Sequence, residues 1–322
     1  MTEILDKINK ILLYELSSNA RQSETDLAKK IRRSRETVRY RIAQLEKNKI
    51  ITGYTSWINL SKLSYMSYRV FLKLSSTAEE QKKLINAIRS HSNVYWVSKA
   101  DGAWDLHVSF FAKSTIEFFE MEAKFFSQFP NLIIKKTVGS SVEIFTYPEK
   151  LLVQSDAKPI STIGKLGNVE LDDLDKKVLF ILFSNSRSTL VNIAKEAGVS
   201  VDVVRHRIKK LEKSGVLVSS RAVVDFSRLG YDLYYSLLSF KVFSKDDESR
   251  ILEFAQKHQN IYGLSKIIAP WQVDLLIRAK NHHEYLGIIR ELRSRFPNIR
   301  NVETALLSEE SSFPSKDTIM SL

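Results

Sequence analysis

The 322-residue sequence contains no cysteine. Disulfide bonds, thiolate metal sites and cysteine nucleophiles are therefore excluded, and with them a secreted domain stapled by disulfides. No segment reaches the roughly 18 uncharged apolar residues that a transmembrane helix needs. The acids within residues 1–6 do not suit a signal peptide. We expect a cytoplasmic protein that makes no membrane contact.

Motifs for metal or covalent chemistry are equally scarce. The sequence has 6 histidines, but His282 and His283 are adjacent and would point in different directions on a helix, and the others do not form a ligand set. A phosphate-binding loop, a nucleophile motif and a pair of catalytic carboxylates are not evident. We expect no metal, no cofactor and no enzymatic activity.

Positive charge, in contrast, is abundant. The 49 Lys and Arg residues outnumber the 37 Asp and Glu residues, which gives a net charge of +12. Such an excess attracts polyanions, either nucleic acid or an anionic membrane surface. Apolar residues make up 43% of the sequence, enough to build cores and to exclude a wholly disordered chain.

The sequence repeats itself at a shift of 166 residues. Between residues 5 and 51, 18 positions are identical in the second copy without a gap, including most of Val38–Ile42 and Val204–Ile208. After one inserted residue, Phe129–Leu132 corresponds to Phe296–Ile299. A period this long indicates duplicated multi-domain units rather than solenoid repeats.

Composition also suggests where the units end. Residues 148–170 contain Pro148, Pro159, Gly164 and Gly167, which is typical of a linker. We expect helical domains at 1–52 and 171–218, mixed domains at 53–147 and 219–307, this linker, and a loose tail at 308–322.

The helical domains carry a helix-turn-helix pattern. Ser34 and Ser200 each precede an apolar series at helical spacing, so both are expected N-caps, each stabilising by about 1 kcal/mol. The turn before the third helix contains Gly198 in the second copy. Arg32 stands at that position in the first copy, so there a non-glycine residue must adopt the turn or the turn must differ.

The mixed domains alternate between strand and helix patterns. In the first copy, residues 68–75, 95–99, 106–111 and 133–145 are predicted strands, and residues 79–91 and 116–129 are predicted helices. The order strand, helix, strand, strand, helix, strand is the ferredoxin-like arrangement, and the second copy repeats it. The fold class is therefore α+β, with two winged-helix-like helix-turn-helix domains and two ferredoxin-like (βαββαβ) domains in tandem.

Most of the excess charge lies on the helix-turn-helix domains. Residues 1–52 contain 12 basic and 7 acidic residues, and residues 171–221 contain 10 basic and 6 acidic residues. These segments account for 9 of the 12 excess charges. A charge run is usually a solvated helix face, but its concentration on this motif favours duplex DNA as the partner.

Each copy resembles a complete member of the Lrp/AsnC family of prokaryotic transcription regulators, which joins a helix-turn-helix to a ferredoxin-like module called RAM. The family's N-terminal motifs are matched by Leu5-Asp6 and Asn19-Ala20-Arg21, and by Leu171-Asp172, Asp175 and Asn185-Ser186-Arg187. Its third-helix motif is matched by Arg41-Ile42 through Leu45-Glu46 and by Arg207-Ile208 through Leu211-Glu212. Asn9 replaces the expected acid in the first copy.

The N-terminal turns of the third helix are expected to enter the major groove. Arginine can bond guanine, glutamate can accept from cytosine, and threonine or tyrosine can reach base edges or phosphates. The alternative for each residue is a phosphate contact, solvation or, for the acids, stabilisation of the helix N-terminus. Arg41 and Arg207 are expected to be structural or phosphate-bound. The predicted DNA-binding residues are Arg32, Arg33, Ser34, Arg35, Glu36, Thr37, Arg39 and Tyr40, with Ser200, Val201, Asp202, Val203, Arg205 and His206 in the second copy.

The resemblance also implies an effector site, because small effectors, often amino acids, bind between RAM modules near a Gly-x-aromatic-Asp loop. That loop is matched by residues 102–105, and the predicted effector-binding residues are Asp101, Gly102, Trp104 and Asp105. The alternative is a plain β-turn. The second copy has Pro270 and Trp271 there with no glycine, so we expect at most one type of effector site per chain.

Three functions remain open on the sequence alone. The leading hypothesis is a sequence-specific regulator of double-stranded DNA in which one chain acts as a covalent pseudo-dimer with two unlike reading helices. Homo-oligomers, dimeric or higher, are also expected. The alternatives are an architectural protein that binds DNA without sequence preference and, since sirohaem decarboxylases resemble this family, a tetrapyrrole enzyme.

Overall fold

A computed structural model of the protein describes residues 5–75, 78–156, 158–312, 319–320 and 322. The helices and strands are, in chain order, α1 (Lys7–Ser18), α2 (Glu24–Ile31), α3 (Arg35–Lys47), β1 (Ile51–Ile58), β2 (Met66–Leu74), α4 (Ala78–Arg89), β3 (Val94–Gly102), β4 (Leu106–Ala112), α5 (Thr115–Phe126), β5 (Ile133–Thr146), β6 (Ile160–Ile163), α6 (Asp173–Ser184), α7 (Leu190–Ala197), α8 (Val201–Lys213), β7 (Leu217–Val224), β8 (Asp232–Phe240), α9 (Lys245–Lys257), β9 (Ile261–Ile268), β10 (Val273–Ala279), α10 (His282–Arg295) and β11 (Ile299–Ser312).

The two helix-turn-helix domains are built from α1–α3 and α6–α8, and their local signals act as expected. The Ser34 hydroxyl accepts a hydrogen bond from the Thr37 backbone N–H at 3.2 Å, and the Ser200 hydroxyl accepts one from Val203 at 3.3 Å. The turn has the same left-handed conformation in both copies, with φ +54° at Arg32 and +76° at Gly198. The first copy therefore keeps the turn and places a strained non-glycine residue in it.

A two-stranded antiparallel ribbon joins the two helix-turn-helix domains. It consists of β1, which follows α3, and β7, which follows α8; Tyr54 lies opposite Ala222 and Ser56 lies opposite Ser220. Neither strand is predicted from the sequence, and the domain boundaries expected at residues 52 and 218 fall inside these strands. We define this pair of strands as the ribbon.

Residues on the ribbon and directly after it pack into the helical core of the opposite copy. Ala222 and Phe226, from the second copy, are buried with Leu12, Leu16 and Leu27 of the first helix-turn-helix. Conversely, Ile58, Leu60 and Leu63 of the first copy are buried in the core of α6–α8. Since hydrophobic burial stabilises both cores, each helix-turn-helix domain depends on the other half of the chain.

The two ferredoxin-like domains close into one barrel. Within each domain the strand order is β5-β2-β4-β3 or β11-β8-β10-β9, and β3 pairs with β11 while β5 pairs with β9. The eight strands therefore leave no free edge, which is how closed sheets avoid edge-to-edge aggregation. We define these eight strands as the barrel.

Two side-chain layers fill the space around the barrel strands. The helices cover the outer face with apolar residues such as Leu84, Phe118 and Phe125 in the first half, and Ile251 and Leu292 in the second. The inner face carries a separate cluster drawn from both halves, comprising Phe71, Ala100, Trp104, Tyr235, Leu237, Ile267, Trp271, Ala305 and Leu307.

Two expected loose segments are more ordered than anticipated. Residues 160–163 of the expected linker form β6, which pairs with the end of β5. The backbone of β11 continues to Ser312, past residue 307, and pairs with β3. Both segments gain backbone hydrogen bonds to strands that are distant in sequence, a signal that local composition does not carry. The rest of the expected tail lies largely outside the described residues.

Within the described ranges, none of the helices has the length and apolar character to cross a membrane. In the same part of the chain, histidine and acidic side chains form no group of three or more that could hold a metal ion.

Candidate nucleic-acid interface

The N-terminal half of α3 presents a charged face to solvent. Arg32, Arg33, Ser34, Arg35, Glu36, Arg39 and Tyr40 are exposed, and Thr37 is half-buried. Tyr40 has 66% of its surface exposed although it is a large aromatic residue. The buried residues Val38, Ile42 and Leu45 fix the opposite face of the helix against its domain. Packing therefore leaves the predicted DNA-binding residues together on one free surface.

The charges on this surface are only partly neutralised. Arg39 forms an ion pair with Glu24 of α2 at 2.8 Å, whereas Arg35 makes no ion pair with any residue in the described part of the chain. A hydrogen bond from its own backbone N–H and one from Ser34 hold the pKa of Glu36 below its usual range. Glu36 thus stays anionic, and a carboxylate at this position can accept a hydrogen bond from cytosine.

The N-terminal half of α8 is exposed as well, with different chemistry. Ser200, Asp202, Val203, Arg205 and His206 are exposed, and Val201 is half-buried. Arg205 pairs with Asp202 one turn earlier on the same helix. Val203 lies where α3 has Thr37. The exposed face of α8 is consequently less basic and more apolar than that of α3.

Arg41 and Arg207 have structural roles. The Arg41 guanidinium contacts the Asp6 carboxylate at 2.5 Å and the Asn9 side chain at 3.0 Å. Arg207 contacts Asp172 and, at 3.1 Å, Asp175. Each arginine thereby ties the third helix to the N-terminus of the first, in agreement with the structural alternative considered from sequence.

The two helix-turn-helix domains also contact each other through the Asn-x-Arg motif, whose role the sequence did not reveal. Arg21 donates to the carbonyls of Ser186 and Ser188 at 2.7 and 2.9 Å. Its counterpart, Arg187, places its guanidinium 5.1 Å from the ring centroid of Tyr54 on the ribbon. The motif therefore helps to fix the two helix-turn-helix domains, and with them α3 and α8, relative to each other.

The predicted effector loop lies at a seam of the barrel. An ideal Cβ built on Gly102, whose φ is +131°, would lie 2.6 Å from the Thr304 carbonyl oxygen of β11, so only glycine fits there. Trp104 is buried and donates to Glu303 at 3.2 Å. Asp105 accepts from Lys73 at 2.5 Å and from the Leu74 backbone at 2.8 Å, while Asp101 is exposed. These contacts give the loop a structural role, and effector binding there stays a prediction.

Comparisons with known proteins agree on the helical domains. A family model described as an AsnC-type helix-turn-helix domain matches residues 5–46, and one described as a winged helix-turn-helix DNA-binding domain matches residues 171–218. An uncharacterised HTH-type transcriptional regulator of Pyrococcus abyssi is 31% identical over 38% of this chain and 83% of its own length. The HTH-type transcriptional regulator FL11 of Pyrococcus horikoshii is 29% identical over 43% of this chain and 90% of its own length.

Solved structures of one further protein align with both halves of the chain. The siroheme decarboxylase NirDL superposes with a TM-score of 0.65 over 98% of this chain and 96% of its own, at 13% sequence identity. At that identity the likeness concerns the fold alone, and it extends over both halves of the chain.

Proposed function

This chain belongs to the Lrp/AsnC family of transcriptional regulators, and on that premise we propose that a single chain acts as a covalent pseudo-dimer that binds two unlike half-sites of duplex DNA. The family assignment makes it a helix-turn-helix DNA-binding protein. The observation that carries the finer proposal is the pair of exposed, chemically different reading helices on domains joined by one ribbon.

The arrangement of charge supports this proposal. Arg35, Glu36 and Thr37 on α3 correspond to Val201, Asp202 and Val203 on α8. Arg35 suits a bidentate contact to guanine, whereas the valine side chains suit apolar contact with thymine methyl groups. We therefore propose a non-palindromic elementary site whose half-sites are about one helical turn apart.

Further parts of the proposal follow from the family. We propose that a small effector, such as an amino acid, modulates binding, with Asp101, Gly102, Trp104 and Asp105 as its predicted contacts. We also propose that chains associate into dimers or larger assemblies, that the protein acts in the cytoplasm, and that it is a regulator rather than an enzyme.

The DNA proposal is tested by selecting bound sites from random duplexes and measuring affinity for the selected duplex against salt. If roughly eight phosphates are contacted, log affinity against log salt falls with a slope near −7. Arg35→Ala should relax the base preference in one half-site and leave the other unchanged. Equal affinity for selected and random duplexes would instead support a non-specific architectural protein.

A tetrapyrrole enzyme is the remaining alternative, favoured by the two-unit likeness to a siroheme decarboxylase. Adding sirohaem to the purified full chain distinguishes the two functions. A regulator should leave the tetrapyrrole absorption spectrum and its carboxylates unchanged, whereas an enzyme of that kind would shift the spectrum and release carbon dioxide.

A further inference from the structure

A cavity of about 260 Å³ lies between the ribbon and the barrel. Trp57 and Arg221 line it from the ribbon, and Arg69, Trp96, Tyr262 and Arg278 line it from the barrel. None of the four predicted effector-loop residues lines this cavity. Because drug-sized pockets begin at roughly 300 Å³, the space suits a molecule the size of an amino acid.

The charged residues in the cavity wall are predominantly cationic. Arg69, Arg221, Arg278 and Glu149 are each more than nine-tenths buried. Glu149 accepts from Arg221 at 3.2 Å and from Arg278 through its other oxygen. One carboxylate thus serves two guanidinium groups, and the wall retains an excess of positive charge.

Arg69 is the least neutralised of the three arginines. Its guanidinium donates to two hydroxyl groups, those of Tyr235 and, at 3.1 Å, Ser265. Its Nε atom is buried and has no hydrogen-bond partner among the described residues. The nearby Asp274 instead accepts from Tyr235 at 2.7 Å and Trp271 at 2.6 Å. A buried cation without a directly bonded counter-charge is costly, and a ligand carboxylate would offset that cost.

Aromatic rings hold the guanidinium groups in place. The Arg278 guanidinium carbon lies 3.7 Å from the ring centroid of Phe226 and 3.9 Å from that of Tyr262. Arg221 lies 4.1 Å from the ring centroid of Trp57. These contacts lower the freedom of the arginines. The rings of Trp57, Trp96 and Tyr262 line the cavity, and their flat apolar surfaces favour a planar ligand body.

We propose that this cavity binds a small organic carboxylate with an aromatic body, and that its occupancy changes DNA affinity through the ribbon. The regulatory half rests on the proposed DNA-binding function, whereas ligand binding does not. Trp57 and Arg221 belong to strands that follow α3 and α8 within a few residues. A ligand held between them and the barrel restricts the ribbon and therefore the relative position of the reading helices.

The binding half is tested by isothermal titration calorimetry of the full chain without DNA, using phenylpyruvate and L-phenylalanine. Acetate, which lacks the ring, and benzyl alcohol, which lacks the carboxylate, are the reference compounds. We expect saturable binding of at least one aryl carboxylate and much weaker binding of both reference compounds. No binding of either aryl carboxylate up to about 10 mM, or equal binding of all four compounds, would overturn the proposed site.

Substitutions of residues that line the cavity test whether the ligand binds there. Arg69→Met should weaken aryl carboxylate binding at least about tenfold, because it removes a charge-assisted hydrogen bond. The matched control is Arg250→Met, an exposed arginine on α9. Trp57→Leu, which leaves Arg69 intact, should also weaken binding, and it serves if Arg69→Met does not fold. Equal affinities of all folded variants would contradict the site.

The regulatory half is measured separately, by fluorescence anisotropy of a selected duplex with and without saturating phenylpyruvate. We expect the dissociation constant for DNA to change severalfold in the wild type and not in Trp57→Leu. An unchanged value in the wild type would contradict coupling. A chain that binds phenylpyruvate but no DNA would instead contradict the proposed function and leave the site standing.

Discussion

Arg69 donates a hydrogen bond to the hydroxyl of Tyr235, and these two residues occupy equivalent positions 166 residues apart in the repeat. A symmetric pair of identical units would place two arginines or two tyrosines at these positions. The barrel interior has therefore diverged so that one half supplies the donor and the other the acceptor. The two halves of this chain are complementary partners rather than interchangeable copies.

This relationship predicts a large effect of Tyr235→Phe. The substitution leaves Arg69 and Asp274 buried without their shared hydroxyl partner. We expect the free energy of unfolding to fall by about 2 kcal/mol, measured by equilibrium denaturation in urea. The matched control is Tyr68→Phe, since the Tyr68 hydroxyl contacts the exposed Thr115 at 3.0 Å. Equal losses of stability in both variants would contradict this prediction, because the Tyr235 hydroxyl would then contribute no more than the Tyr68 hydroxyl.

The left-handed turn at Arg32 predicts a gain in stability. Arg32→Gly removes the strain of a side chain at φ +54°, so the free energy of unfolding should rise by about 1 kcal/mol. Gly198→Ala should lower it by a similar amount, because open space around the added Cβ leaves only the backbone cost. Thermal unfolding of both variants measures this, and shifts of the same sign would contradict the backbone explanation.

The buried carboxylate of Asp175 predicts a difference between the two helix-turn-helix domains. Asp175 contacts Arg207 at 3.1 Å and Lys210 at 2.6 Å, whereas Asn9 and Gln44 stand at the positions of Asp175 and Lys210 in the first copy. Asp175→Asn should therefore lower the free energy of unfolding by about 1–2 kcal/mol.

Asp202→Asn is the control for this prediction, because Asp202 is exposed and pairs with Arg205 at the surface. Exposed pairs contribute little, so we expect a change within about 0.5 kcal/mol. Both values come from denaturation curves recorded at neutral pH. A larger loss in Asp202→Asn than in Asp175→Asn would contradict the assigned roles.

His107 predicts a dependence of stability on pH. Burial, and secondarily the charge of Arg69, lower the pKa of His107 to about 3 in the folded chain. Between about pH 6.5 and pH 3 the unfolded chain binds a proton that the folded chain does not bind. The contribution of neutral His107 to the free energy of unfolding is thus fully present above about pH 6.5. It is lost, by roughly 1.4 kcal/mol per pH unit, as the pH falls below that value.

Denaturation of the wild type, His107→Phe and His283→Gln from pH 7 to pH 4 measures this contribution. His107→Phe should lose stability less steeply on acidification than the wild type, by approximately that slope. His283 is exposed, and its variant should follow the wild type. Parallel curves for the wild type and His107→Phe would contradict the inference that His107 is held neutral.

The features predicted correctly from sequence are those set by local interactions. Ser34 and Ser200 cap helices through hydrogen bonds that span three residues, and apolar periodicity marks the buried face of each helix. The order of strands and helices along each ferredoxin-like unit also follows from local patterns. The family assignment required only the repeat and short motifs.

The ribbon and the cavity could not be predicted in this way. Tyr54 pairs with Ala222, and the partner of a strand so distant in sequence leaves no local signal. Arg69, Arg221 and Arg278 meet only after the barrel closes on the ribbon. The predicted DNA-binding residues of each copy, in contrast, are close in sequence. They lie in the turn before the third helix and in the first turns of that helix, so local structure alone places them together.

The central claim is that one chain reads two unlike half-sites with two unlike helices. It is tested most directly by site selection from random DNA with the wild type and with a variant that carries Val201→Arg, Asp202→Glu, Val203→Thr and His206→Tyr, so that α8 presents the residues of α3. The wild type should select a non-palindromic site with half-sites about one helical turn apart, and the variant should select a symmetric site built from the α3 half-site. A palindromic wild-type site, or a site unchanged in the variant, would contradict the account.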